Sequence, residues 1–165
     1  MNFYELFEVT SHKTFEEKLE QLLSDKEERE AMYDRLISAG ADLNKDLFLE
    51  YFEAYNAEKK SNRQDFTPPV LARLMAKVGP KEVTELYDGA AGTGSLLVAQ
   101  WAEAKGPITL QATERSDAAI PYLVHNLAIR NISAEIIHGD TLTGEVFDVY
   151  RTVPGERYAE IIHET

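Results

Sequence analysis

The stretch Leu86-Tyr87-Asp88-Gly89-Ala90-Ala91-Gly92-Thr93-Gly94-Ser95-Leu96 constrains this chain more than any other. It leaves a short apolar run, turns on small residues and enters an amphipathic helix, which is the layout of a nucleotide-type cofactor cradle. Gly89, Gly92 and Gly94 let the backbone turn sharply and approach a ligand closely. The N-terminus of the following helix offers unpaired N–H groups to a polar or anionic group. The spacing departs from the dinucleotide pattern G-x-G-x-x-G and lacks the Lys-Ser/Thr pair of a P-loop, so pyrophosphate and triphosphate are both disfavoured. Glu114, about twenty residues beyond the last glycine and at the end of the next expected strand, suits the two hydroxyls of a ribose. Its plainer reading is an exposed loop carboxylate.

Two regions differ in periodicity. Residues 1–60 read as helical: Phe15, Leu19, Leu22 and Leu23 share a face, as do Tyr33, Leu36 and Ile37, and then Leu47, Phe48, Tyr51, Phe52 and Tyr55. Thr14 with Glu17 and Ser24 with Glu27 have capping-box spacing, Gly40 can close the second helix and Asn44 can cap the third. The polar run Glu58 to Gln64 marks the join. From 61 to 165 strands and helices alternate, the signature of an α/β fold. Thr67 can cap a helix that begins with Pro68 and carries the stripe Val70, Leu71, Leu74, Met75 and Val78. Strands are expected near 83–87, 108–113, 134–137 and 146–150, with helices over 95–104 and 117–129. Trp101, Tyr122, His125 and His138 read as packing or surface residues.

Composition narrows the function classes. With 44% hydrophobic and 10% aromatic residues the chain is globular rather than disordered, and without cysteine it has no disulfide and no thiolate metal site. No basic segment followed by a long apolar stretch opens the chain, so a cytoplasmic protein without membrane contact is expected. A formal net charge of -12 opposes independent binding to a phosphate backbone. Contact with DNA is expected only through a local basic patch or a basic partner subunit.

Four segments in order resemble the S-adenosylmethionine-dependent N6-adenine DNA methyltransferases, and within them the modification subunits of type I restriction-modification systems. Gln64-Asp65-Phe66-Thr67-Pro68-Pro69 is similar to the family's Q-x-F-T-P segment, which lines the methionine end of the cofactor. Asp88-Gly89-Ala90-Ala91-Gly92-Thr93-Gly94 resembles its D-P-A-C-G-T-G loop, with Gly89 for proline and Ala91 for cysteine. Ala112-Thr113-Glu114 resembles the segment whose acid holds the ribose, and Gly139-Asp140-Thr141-Leu142 the G-D-x-L segment whose aspartate meets the adenine amino group. The resemblance implies a Rossmann-like parallel sheet with flanking helices after a helical N-terminal region. It also implies S-adenosylmethionine bound by Phe66, Thr67, Pro68, Asp88, Gly89, Ala90, Gly92, Thr93, Gly94, Glu114 and Asp140. Asp140 also reads as a plain turn residue.

The resemblance breaks at the family's catalytic Asn-Pro-Pro-Tyr/Phe. The register places Val153, Pro154, Gly155 and Glu156 there, and Val153 has no side-chain acceptor for the adenine amino group. Losing such a group costs roughly 3 to 4 kcal/mol of barrier lowering, so methyl transfer is not expected from this chain alone. The resemblance implies three further strands where only Arg157 to Thr165 remain, so a truncated sheet is expected, with the strand Phe147 to Tyr150 at its edge, either pairing with a second copy or covered by that tail. The leading expectation is a cofactor-binding, catalytically deficient methyltransferase-like protein that works through contacts with other proteins, restriction-modification subunits among them. The alternatives are an active subunit completed by a partner, and an acidic interaction or anti-restriction module whose cavity is a relic.

Overall fold

The computed structural model describes residues 2–58 and 67–164. The join at residues 59–64 and Phe66 lie outside the described residues. Four helices come first: α1 (Phe3–Leu6), α2 (His12–Ser24), α3 (Lys26–Ser38) and α4 (Leu49–Glu58). Then follow α5 (Pro69–Val78), β1 (Glu85–Asp88), α6 (Ser95–Glu103), β2 (Thr109–Glu114), α7 (Ile120–Ala128), β3 (Ser133–Asp140), β4 (Glu145–Val153) and β5 (Glu160–Glu164).

The helix ends have identifiable chemical causes. Ser11 accepts from the Thr14 N–H while Thr14 returns the bond, so the capping box sits three residues before the expected one. Asp25, not Ser24, caps α3 by accepting from the Glu28 N–H. Asp46, not Asn44, accepts the Phe48 and Leu49 N–H groups at the start of α4. Gly40 closes α3 as expected: with φ at +86° it lets the Ala41 N–H reach back to the Leu36 carbonyl. Pro69 rather than Pro68 occupies the first turn of α5.

One five-stranded sheet runs in the order β1-β2-β3-β4-β5. The first three strands are parallel, joined by the crossover helices α6 and α7, and β4 and β5 are antiparallel to their neighbours. The all-parallel sheet expected from the resemblance is therefore corrected to a mixed one. The cause is chain length: only Thr141 to Gly144 separate β3 from β4, whereas a parallel connection needs about a dozen residues or more. Gly144, at φ +75°, completes the reversal by donating its N–H to the Asp140 carbonyl. The tail supplies the cover that β4 requires, pairing along its outer edge from Val149–Glu164 to Val153–Glu160.

α7 lies at the centre, with all nine residues buried. On the sheet side Leu123, Val124 and Leu127 pack with Leu97, Leu110, Ala112, Ile136 and Tyr150. On the other side Ala119, Tyr122 and Ala128 pack with Phe15, Leu19, Tyr33, Phe48 and Phe52. On the sheet face away from α7, Thr109 and Gln111 are exposed among the described residues, and Arg151 pairs with both Glu135 and Glu164. α5 departs from its stripe. It turns its small face, Ala72 and Ala76, onto Ala99 of α6, and leaves Val70 80% and Val78 77% exposed. Tyr122 and His125 are packing residues as expected, and Trp101 packs against the sheet-side core.

His125 bridges α7 to the N-terminal helices. Its Nε2 lies 2.8 Å from the Leu19 carbonyl and its Nδ1 2.7 Å from the Tyr33 hydroxyl. This arrangement suits the neutral tautomer protonated on Nε2, with Tyr33 donating to Nδ1. Burial lowers its pKa from 6.5 to about 4. The unfolded chain therefore binds the extra proton first. Stability from this site is complete above about pH 6.5 and declines as pH falls toward 4, by roughly 3 kcal/mol in total. Urea denaturation from pH 7 to 4.5 should show that decline, and His125→Gln should flatten it while lowering stability at pH 7.

A second consequence concerns Gly139, where a Cβ would stand 2.4 Å from the Glu145 carbonyl oxygen. Gly139→Ala should destabilise the β3–β4 hairpin by about 1–3 kcal/mol, read as a fall in Tm.

Candidate functional site

Three consecutive parallel strands each end in a carboxylate: Asp88 closes β1, Glu114 closes β2 and Asp140 closes β3. Parallel register puts these ends on one edge of the sheet, where open α/β sheets bind ligands. A cavity of about 300 Å³ lies there, lined by all three acids, by Gly89, Ala90, Ala91 and Gly92, by Ser95 and Leu96 of α6, and by Thr67, Arg115, Gly139, Thr141 and Leu142.

Backbone N–H groups hold the carboxylates in place. The Ala90 N–H donates to Asp88 Oδ1 at 3.1 Å. Glu114 is buried, not the exposed loop carboxylate of its plainer reading. Its Oε2 accepts the Gly92 N–H and its Oε1 the Ser116 N–H, each at 2.7 Å. One side chain thus ties the glycine turn to the end of β2, and each oxygen retains a lone pair for a further donor. Asp140 does serve its turn, accepting the Leu142 N–H at 2.8 Å, and its Oδ2 also lies 3.2 Å from Arg115. The Thr141 hydroxyl donates to the Gly89 carbonyl at 2.5 Å, closing the loop after β3 onto the loop after β1.

The turn needs its glycines. Gly92 and Gly94 adopt φ of +56° and +97°, a region costly for other residues. A Cβ on Gly94 would also stand 2.8 Å from Leu123 Cδ1. Gly94 thus shapes the site from behind. Thr93 sits between the two glycines, but it is buried and its hydroxyl donates to Asp46, away from the cavity. Pro68 is exposed at the start of α5 and is not part of the lining, although Thr67 is.

Val153, Pro154, Gly155 and Glu156 do not meet the cavity. Because β4 runs back along β3, it carries them to the opposite end of the sheet, where Val153 pairs with Glu160. The Gly155 N–H donates to Asn131 Oδ1 at 2.8 Å and the Asn131 amide returns a bond to the Gly155 carbonyl at 3.0 Å. The register that set these four residues beside the reacting base is corrected on this geometry.

Several lining residues escaped the sequence reading. Thr141 and Leu142 belong to the G-D-x-L segment, yet only its aspartate was singled out. Arg115 follows Glu114 directly, and Ser95 opens α6; neither carries a motif of its own. Among the described residues no group of three His, Cys, Asp or Glu side chains could hold a metal ion, and no helix is long and apolar enough to cross a membrane.

The electrostatic character of the cavity is clear from its lining. Three carboxylates face one guanidinium, and that guanidinium is already beside Asp140. Such a site favours a ligand rich in hydroxyl and N–H donors, or a cation, over a phosphate. A family model described as N-6 DNA methylase matches residues 42–162. No curated protein and no solved structure matches the chain. The match runs from ahead of α4 into β5, spans every wall of the cavity and takes in most of the sequence, so the chain belongs to the N-6 DNA methylase family.

Proposed function

We propose that the cavity binds S-adenosylmethionine and that this DNA adenine methyltransferase-like chain, of the type I modification-subunit kind, does not transfer a methyl group by itself. The observation that carries the reading is the row of carboxylates at three successive strand ends around a glycine turn. S-adenosylmethionine combines ribose hydroxyls and an adenine amino group with a sulfonium and an ammonium, so it brings the donors and positive charge that such a lining attracts.

In this reading the free lone pairs of Glu114 accept the ribose hydroxyls while its bonds to Gly92 and Ser116 keep the glycine turn closed. Asp140 accepts from the adenine amino group, with Arg115 holding its second oxygen. The glycine turn keeps side chains away from the ligand's path. When bound, the cofactor supplies an electrophilic methyl group. The acceptor adenine has an amino nitrogen whose lone pair is delocalised into its ring, and its two N–H groups need acceptors to localise that pair. The lining contains no asparagine among the described residues, which supports a deficient site. The acidic chain also repels a phosphate backbone, which supports DNA contact through a basic partner.

Calorimetric titration tests the cofactor site. Binding in the micromolar range is expected, unaffected by added nucleoside triphosphate. Glu114→Ala should weaken it by at least about tenfold, since hydrogen bonds to charged groups are worth about 1.5–3 kcal/mol each. No heat at millimolar cofactor would remove this reading. Transfer of labelled methyl groups to adenine-containing DNA should be absent with the chain alone, and its presence would overturn the deficiency. Transfer that appears only with an added basic subunit would assign the missing acceptors to that subunit.

A further inference from the structure

Asp46 belongs to none of the motifs, yet its carboxylate receives five hydrogen bonds from three parts of the chain. Oδ2 accepts the hydroxyls of Thr93 at 2.5 Å and Ser95 at 2.6 Å. Oδ1 accepts the Asn126 side-chain amide of α7 at 2.7 Å, the Phe48 N–H at 2.9 Å and the Leu49 N–H at 3.1 Å. Asn126 completes the connection by donating to the Thr93 carbonyl at 2.9 Å and accepting the Leu47 N–H at 3.2 Å. Arg130, almost fully buried, anchors the same segment through the carbonyls of Leu43, at 2.7 Å, and Lys45.

We propose that Asp46 is a positioning residue for the cofactor loop, holding Gly92 to Ser95 in its binding conformation and coupling the N-terminal helices to the cavity. The proposal deepens the cofactor reading above and rests on it for its effect on affinity. The physical need lies in the loop itself. Thr93 stands between two residues in the left-handed region, Gly92 and Gly94, and glycine backbone is the least restricted of any. Two charge-assisted bonds from Thr93 and Ser95 to one carboxylate remove that freedom. The second effect is on Ser95, which lines the cavity. Its single hydroxyl proton is committed to Asp46, so it meets a ligand as an acceptor.

Asp46→Asn separates the two halves of the carboxylate. With its amide oxygen at the Oδ1 position it keeps the bonds from Phe48, Leu49 and Asn126, while its N–H groups can only donate to the two hydroxyls, so the charge-assisted bonds become neutral ones of reversed direction. Three measurements on the full chain test the proposal: thermal unfolding, amide hydrogen exchange over residues 91–97 without ligand, and cofactor affinity. Asp46→Asn is expected to leave Tm within a few degrees of the parent and to speed loop exchange by tenfold or more relative to β2. It should also weaken S-adenosylmethionine by about tenfold. Thr93→Val with Ser95→Ala should do the same, and adding Asp46→Asn to that pair should change little further. Should the pair exchange and bind as the parent does, or Asp46→Asn lower Tm with exchange rising evenly over the whole chain, the proposal is overturned. If the parent binds no cofactor, the cofactor reading fails, and loop exchange alone still decides whether Asp46 holds the loop.

Discussion

The complete burial of α7 is the constraint on which the other contacts depend. A helix covered on every side must be apolar almost all round, and Ile120 to Ala128 meets this with three polar side chains apart from its proline. Tyr122 contributes its ring to an aromatic cluster with Phe48 and Phe52, and its buried hydroxyl has no hydrogen-bond partner among the described residues. His125 and Asn126 are adjacent and point to different neighbours. His125 reaches α2 and α3, and Asn126 reaches the glycine loop and the segment before α4. Two neighbouring residues thereby orient the helical layer and the glycine loop around one axis. The periodicity boundary near residue 60 marks a change of secondary structure, while the packing runs across it through α7, and the family match likewise begins before it, at residue 42.

The cavity and the whole chain share an excess of negative charge, with different consequences. Around the cavity the carboxylates are held by backbone N–H donors and sort ligands by their own charge and donors. Over the surface the same sign works against the polyanion on which this family acts. The two effects act at different scales, one within a cavity of about 300 Å³ and the other over the whole surface.

Much of this was legible in the residues and some was not, for physical reasons. β1, α6 and β2 fall within two residues of their expected limits because glycine punctuation and apolar runs are local signals. The caps of α2 and α3 slipped because Ser, Thr and Asp crowd within a few positions and each can accept an N–H. α5 reversed because a small-residue face can approach another helix closely, and Ala72 and Ala76 lie outside the larger stripe that the periodicity picks out. The direction of β4 was present in the short gap between the strands expected at 134–137 and 146–150, but the resemblance carried a parallel strand into a space too short for one. Asp46 was out of reach: its partners lie 47, 49 and 80 positions away, and no local pattern marks a residue whose role comes from three elements meeting.

The central helix also sets an order of events during synthesis. The apolar faces of α2, α3 and α4 are complete once residue 58 has been made, yet the surface that covers them is α7, finished at residue 128. At roughly 5–20 residues per second, those faces wait on the order of several seconds without their partner. Asp46 is likewise made long before Thr93, Ser95 and Asn126 arrive to use it. The N-terminal helices therefore leave the ribosome as an unfinished surface, in need of protection from other chains until the middle of the protein emerges.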